Sequence, residues 1–245
     1  MSSQEDPSLD ALRRPERAPA DSVLSSPWKD HRVLTDHWPL LNLRLTTDHL
    51  VLRFPSEAEL ADLAGVAARG VHKPGERPYL TPWTEGTAAQ RALHVIQQHW
   101  ARRGEWTTDA WALDLGVFHD EEPVGMVALR GRDFPILREV KTESWLGIDY
   151  HRRGWGTEAR AALLHLAFDG LGAEAALTEV FQDNAGSQGV SRRLGYRHDG
   201  ISRDVRDGAA VISDRLRLSR DEWHSIDRPL TIIERLEPCL PLFGI

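Results

Sequence analysis

The sequence reads as a mixed α/β domain of the α+β class. Runs of strand length with alternating apolar residues recur along the 245 residues. Stretches with helical spacing separate only some of them. The order is strands, helices, antiparallel strands, then strand–helix–strand–helix–strand–strand. A doubly wound nucleotide fold would alternate strand and helix regularly, and this chain does not.

Each element has a local cause. Residues 1–30 are rich in Ser, Pro, Asp, Glu and Arg and predict a mobile N-terminal arm with no apolar face to bury. Leu41–Leu45 and Leu50–Phe54 alternate around Thr-Thr-Asp-His and end at Pro55, so they read as two short strands. Ser56 with Glu59 three residues on is an N-cap signature, and Leu60, Leu63 and Val66 keep helical spacing behind it. Residues 70–86 form a Gly- and Pro-punctuated loop, and 87–103 a helix with Ala92, Ile96 and Trp100 on one face.

Residues 110–118 and 124–129 flank His119-Asp120-Glu121-Glu122-Pro123 and predict a hairpin. Residues 139–148 form a further strand. A glycine-punctuated loop at 151–156 leads into a helix to about Leu171, with Ala159, Ala162, Leu163 and Leu166 on one face. A strand at 175–181 and a helix at 184–194 follow, the helix closed by Gly195. Residues 196–201 and 211–218 make the last strand pair. Residues 228–245 are a C-terminal tail after the main domain of 31–227, with Thr231-Ile232-Ile233 strand-like and a proline-rich end.

Composition narrows the function. A charge balance of 30 basic against 37 acidic residues, net −7, argues against non-specific nucleic-acid binding. The lone Cys239 excludes an internal disulfide, a multi-cysteine zinc site and a Cys-x-x-Cys redox pair, and fits a reducing compartment. The 11 histidines form no His-x-x-x-His pair, so no metal site is expected. No apolar run approaches the roughly 18 residues of a membrane span. The opening residues lack the pattern of a signal peptide. The expectation is a cytoplasmic protein with no membrane or nucleic-acid partner.

The informative segment runs from Trp145 to Ala159: a strand end, a loop with Gly154 and Gly156, then a helix start. Helix N-termini carry unpaired amides and partial positive charge, which suits phosphate. Glycines let backbone approach an anion, and Arg152 and Arg153 add full charges. Position 159 is Ala, so the dinucleotide fingerprint fails, and no Walker Gly-Lys-Ser/Thr follows. By spacing alone, a phosphate loop and a tight connection with solvated arginines remain open alternatives.

Arg153-Gly154-Trp155-Gly156-Thr157-Glu158-Ala159 resembles the acyl-CoA pyrophosphate loop of GNAT N-acyltransferases, in the RimJ/RimL-like branch. The family's Gln/Arg at the first motif position is His151 here, a departure. Asp183-Asn184-Ala185-Gly186-Ser187 with Leu194-Gly195-Tyr196, and the opening Leu45–Arg53, are similar to two further blocks of that branch. His37-Trp38-Pro39-Leu40 and Pro241-Leu242-Phe243-Gly244 resemble an actinobacterial subgroup in which succinyl-CoA is implicated as donor.

The resemblance implies a central mixed sheet, mostly antiparallel and flanked by helices. Two parallel strands, 143–149 and 175–181, would splay apart. Backbone groups of Leu146, Gly147 and Ile148 would pair with pantetheine. His151, Arg152 and the amides of Arg153, Gly154, Trp155, Gly156 and Thr157 would hold the pyrophosphate. Asn184 and Ser187 would face the sulfur end, with helix capping as the plainer role for Asn184. Glu143 would be the general base and Ser187 the proton donor to the thiolate, with Asp149 a second choice of base. The plainer reading of Glu143 is a salt bridge to Arg138 or Lys141.

Trp83, Phe134 and Trp145 are candidate walls for the acyl or acceptor pocket, against a core role for each. The implied activity moves an acetyl or succinyl group from a CoA thioester to a primary amine: a protein N-terminus, a lysine or a small molecule. A CoA-binding sensor without turnover is the alternative. A two-fold homodimer is the default assembly.

Overall fold

The computed structural model describes residues 33–206 and 208–245, so the expectation for residues 1–30 lies outside the described residues. The chain opens with α1 (Leu34–His37) and a 3-10 turn, Pro39–Asn42, then β1 (Arg44–Thr46) and β2 (Val51–Arg53). Next come α2 (Glu57–Arg69), α3 (Ala88–Gly104), β3 (Ala110–His119), β4 (Glu122–Arg132) and the short α4 (Phe134–Leu137). Then follow β5 (Glu139–Leu146), a 3-10 turn Ile148–Tyr150, α5 (Trp155–His165), β6 (Ala175–Phe181) and α6 (Ala185–Arg193). The chain ends with β7 (Arg197–Arg206), β8 (Ala209–Ser219), α7 (Arg220–Ser225), β9 (Ile232–Glu234) and a 3-10 segment, Glu237–Phe243.

Nine strands form one sheet in the order β7-β8-β6-β5-β4-β3-β2-β1-β9. Every pairing is antiparallel except β5 with β6. The parallel ladder is short: Glu139↔Ala175, Val140↔Ala176 and Lys141↔Leu177, then nothing. Beyond it β5 stays with β4 as far as Gly125↔Leu146, while β6 stays with β8 as far as Phe181↔Ser213. The sheet therefore forks between Thr142 and Thr178.

Local chemistry explains the boundaries. The capping box on α2 is complete, with Ser56 accepting from the Glu59 amide and Glu59 accepting from the Ser56 amide. Asp120 and Glu121 both take positive φ, which suits the tight turn joining β3 to β4. α5 is buried nearly all round and widens into π turns over Leu166–Gly170. Its Ala159, Ala162, Leu163 and Leu166 fill one side of the sheet. On the other side, Leu60, Leu63, Ala64 and Ala67 of α2 pack with Val95, Phe118 and Met126.

Three expectations change. Leu41 and Asn42 lie in a 3-10 turn begun by Pro39, so the first strand starts only at Arg44. α3 buries Val95 and His99 most deeply, Ala92 and Ile96 pack partly buried beside Val95, and of the expected row Trp100 departs, at 51% exposed. The cause is that α3 lies against α2, where the Trp100 indole donates to Glu57 (3.2 Å). The tail folds into the same unit as the rest of Leu34–Ile245. β9 pairs with β1, Phe243 packs on Trp111 (4.9 Å), and the Trp106 indole donates to the Leu242 carbonyl (2.8 Å). Among the described residues no helix is long and apolar enough to cross a membrane.

Candidate active site

The loop after β5 is a set of free amides. Arg152 and Gly154 both take positive φ, at 65° and 86°, which turns the chain sharply into α5. The Gly154 carbonyl accepts from Thr157 and Glu158, and His151 donates its amide to Ile148. That leaves the amides of residues 152–156 without a partner among the described residues. Five consecutive free amides at the N-terminus of a long buried helix make an anion cradle. An open cleft of about 670 Å³ lies here, lined among others by His49, Arg152, Gly154, Thr157 and Arg193.

Glu158 braces this cleft. Its carboxylate accepts from the Thr47 hydroxyl (2.6 Å) and the His49 amide (3.0 Å), tying the β1–β2 turn to α5. The His151 side chain ties the loop back to the end of β5, where the Leu146 carbonyl accepts from its Nε2 (3.1 Å).

The fork lies next to the loop. The Gly147 amide donates to Val124 (2.9 Å), so it faces β4. Alternation then turns the backbone groups of Ser144 and Leu146 toward β6, where no strand pairs with them. At the closed end of the fork sits Arg160 of α5, only 3% exposed. It donates to Thr142 Oγ1 (3.1 Å) and, at a long 3.4 Å, to Ser191 Oγ. Its guanidinium lies over the Tyr196 ring (5.5 Å), and the Tyr196 hydroxyl is 3.3 Å from Thr142 Oγ1. Its Nε has no partner, and among the described residues no carboxylate pairs with it.

The opposite face of β5 is aromatic and charged. Trp83 from the 70–86 loop stacks on His94 of α3 (5.0 Å) and meets Trp145 (5.9 Å) and Tyr79 (5.3 Å). Beside them runs an ionic chain. Arg102 bridges Asp114 (2.7 Å) and Glu143, Arg130 takes the other Glu143 oxygen (2.7 Å), and His99 Nδ1 meets Asp114 (3.1 Å). Burial works against the Arg102 charge, but Asp114 and Glu143 outweigh it and hold the guanidinium above its ordinary value.

The amide cradle, the forked sheet and the order of the blocks agree with a comparison against known families. Residues 49–197 match the acetyltransferase (GNAT) domain. The chain belongs to the GNAT acetyltransferase family. The fold is similar to that of RimL, a ribosomal L7/L12 alpha-N-protein acetyltransferase solved with coenzyme A, at 18% identity and a TM-score of 0.57. That match covers 72% of this chain and 97% of RimL. RimJ of Mycobacterium smegmatis, solved with CoA-disulfide, is 17% identical with a TM-score of 0.55, covering 74% of this chain and 86% of its own. The microcin C7 self-immunity acetyltransferase MccE, in complex with acetyl-CoA and AMP, matches at 16% identity and a TM-score of 0.53, covering 70% and 93%.

In this GNAT acetyltransferase several residues expected at the site stand differently. Phe134 is fully buried against Trp111 (5.5 Å), in the cluster that receives the tail, so it walls no open pocket. The Ile148 amide is spent on the Gly70 carbonyl (2.9 Å), so of Leu146, Gly147 and Ile148 only Leu146 turns its backbone to the fork. Gly147 serves packing: a Cβ there would sit 2.5 Å from Val66 of α2. The Thr157 amide belongs to Gly154, and the free run begins one residue earlier, at Arg152. Arg153 turns away over the Trp155 ring (5.0 Å) and reaches the Asp149 carbonyl (3.3 Å). Asp149 itself is exposed beside Arg69 (3.9 Å).

Asn184 caps α6 by accepting from the Ser187 amide (3.0 Å). The Ser187 hydroxyl has no partner among the described residues. Glu143 is ion-paired, as its plainer reading held, but with Arg102 and Arg130 in place of Arg138 or Lys141. Trp83 and Trp145 do come together. His94, Arg160 and Arg193 carried no signal a single sequence could rank, since each lies in a helix of mixed composition.

Proposed function

We propose that this protein transfers an acyl group from a CoA thioester to a primary amine, and that it favours a donor whose acyl group ends in a carboxylate, of the succinyl class. The donor's pyrophosphate is held by the amides of 152–156 with Arg152 and Arg193, and its pantetheine arm lies along Ser144 and Leu146. The acyl end then points toward the closed end of the fork. The observation that carries the donor preference is Arg160: a buried guanidinium with an unpaired Nε and no carboxylate partner among the described residues. An unpaired buried ion costs several kcal/mol, and an incoming carboxylate offsets that cost. The acceptor enters from the opposite face, past Trp83 and Trp145. RimL, an alpha-N-protein acetyltransferase, supports a protein or peptide α-amino group as acceptor.

Thiol release from succinyl-CoA and acetyl-CoA across a panel of peptide and small-molecule amines tests this. Wild type should favour succinyl-CoA in kcat/KM. Arg160→Met should lower the succinyl value by about 10–10²-fold, the worth of one charge-assisted hydrogen bond, and spare the acetyl value. Equal loss with both donors would reduce Arg160 to a structural role.

A further inference from the structure

Acyl transfer needs a proton acceptor, because an α-amino group has a pKa near ~8 and a lysine near ~10.4. The nitrogen must shed a proton as it attacks. A base needs a free lone pair facing the acceptor, and it must be unprotonated at working pH. Glu143 is already committed, with both of its oxygens turned to cations. One of its oxygens accepts from Arg102 and the other from Arg130.

His94 has no such commitment. Neither of its ring nitrogens bonds to another described residue. Stacking on Trp83 fixes the ring plane at 14° to the indole, so the nitrogens point out from the edge of a held ring. Trp83 touches Trp145, the residue before Leu146, so the imidazole borders the same aromatic surface as the fork. The ring is half-buried, neither sealed in the core nor out in water.

We infer that His94 is the general base of this acyltransferase and that Glu143 anchors Arg102 and Arg130. The inference rests on the acyl-transfer reading above. The amine nitrogen attacks the thioester carbonyl and forms the C–N bond, and its proton passes to the free His94 nitrogen. The C–S bond then breaks with its electron pair going to sulfur. The thiolate takes a proton from water to become CoA thiol, and His94 returns its proton to water, so the protons balance. Desolvation, then the Arg102 charge, hold the imidazole below the ordinary histidine value, so it is neutral near pH ~7. The charge that acts on it is Arg102 of its own helix, which is itself held by Asp114 of β3 and by Glu143 of β5, the carboxylate that also takes Arg130 of β4. Arg91 is engaged with the carbonyls of Ala67, Gly86 and Ala68.

The test uses the full chain, with CoA thiol release from acetyl-CoA and succinyl-CoA against peptides with free α-amino groups, lysine peptides and small primary amines. His94→Gln should lower kcat by about 10²–10⁴-fold. The donor KM should stay within about twofold, and the acid limb of the pH–rate profile should disappear. Added imidazole should restore at least about tenfold of the activity lost in His94→Ala. Glu143→Gln should keep the acid limb. A His94→Gln enzyme with wild-type kcat and an intact acid limb would overturn the inference. So would a loss that imidazole does not restore and that comes with weakened donor binding. Wild type turning over no amine would instead remove the acyl-transfer reading itself.

Discussion

On the α5 face, the free amides, the capping glycine and Arg152 come from one stretch of chain, residues 151–157. On the α2–α3 face, Trp83, His94, Arg102, Asp114, Arg130 and Glu143 come from a loop, one helix and three strands. In the function proposed above, the two faces solve different problems. Holding a phosphate needs backbone amides pointing one way, and a single turn before a helix delivers them. Positioning an acceptor and moving its proton needs side chains of different chemistry converging from several directions, which only a folded sheet provides. A contiguous site tolerates change elsewhere in the fold, whereas an assembled one depends on every element that contributes.

That contrast can be broken from the assembled side first. Arg102→Met removes the cation between Asp114, which is 4% exposed, and Glu143. Breaking a buried ion pair costs about 3–5 kcal/mol, and the half-exposed Glu143 puts this case at the low end, about 3 kcal/mol. Tm should fall by about 6–12 °C for a chain of this size. A fall below about 2 °C in a thermal melt would show that the network does not hold α3 to the sheet.

The contiguous site should behave in the opposite way, with binding lost and the fold kept. Acyl-CoA at about 100 times its Kd should stabilise wild type by about 2.7 kcal/mol. Gly154→Val puts a β-branched side chain at φ 86° and over the amides, although the space around its Cβ is empty. The variant should fold with a modest loss from the positive φ and show no shift with acyl-CoA. A ligand shift equal to wild type would place the donor elsewhere.

The smallest effect sharpens the comparison, because it concerns a local motif that serves the assembled face. The Arg53 guanidinium beside Glu59 holds that carboxyl at about 2, helped by the Ser56 amide. A depressed carboxyl contributes stability above its unfolded value, and that contribution is lost as pH falls toward about 2. After solvent screening the pair is worth about 1 kcal/mol. Glu59→Gln should cost about that much near neutral pH in urea denaturation and nothing near pH ~2. A pH-independent cost would assign the effect to the helix cap alone.

Much of the architecture was legible because its causes are local. Ser56 and Glu59 announce a capping box, Asp120-Glu121 a hairpin turn, and Gly195 a helix stop at φ 85°. The α3 stripe held for Ala92 and Ile96, which pack on the α2 core, and failed at Trp100, because how far along α3 the core reaches depends on where α2 lies. The strand-like Thr231-Ile232-Ile233 of the tail was legible, but the pairing of β9 with β1 and the tryptophan cluster were not, for the same reason. Trp106, Trp111 and Phe243 meet only after the chain returns to pair β9 with β1.

By itself, then, the sequence determined the family blocks, the mixed sheet and the place of the glycine turn before α5, all written within short spans of chain. The tertiary structure alone decided that Glu143 is held by two arginines, that Arg160 is buried without a counter-ion among the described residues and that His94 lies free against Trp83. The physical reason is that a side chain's charge state and availability depend on partners far away in sequence. Arg102 is 41 residues from Glu143, and Arg160 is 31 from Ser191.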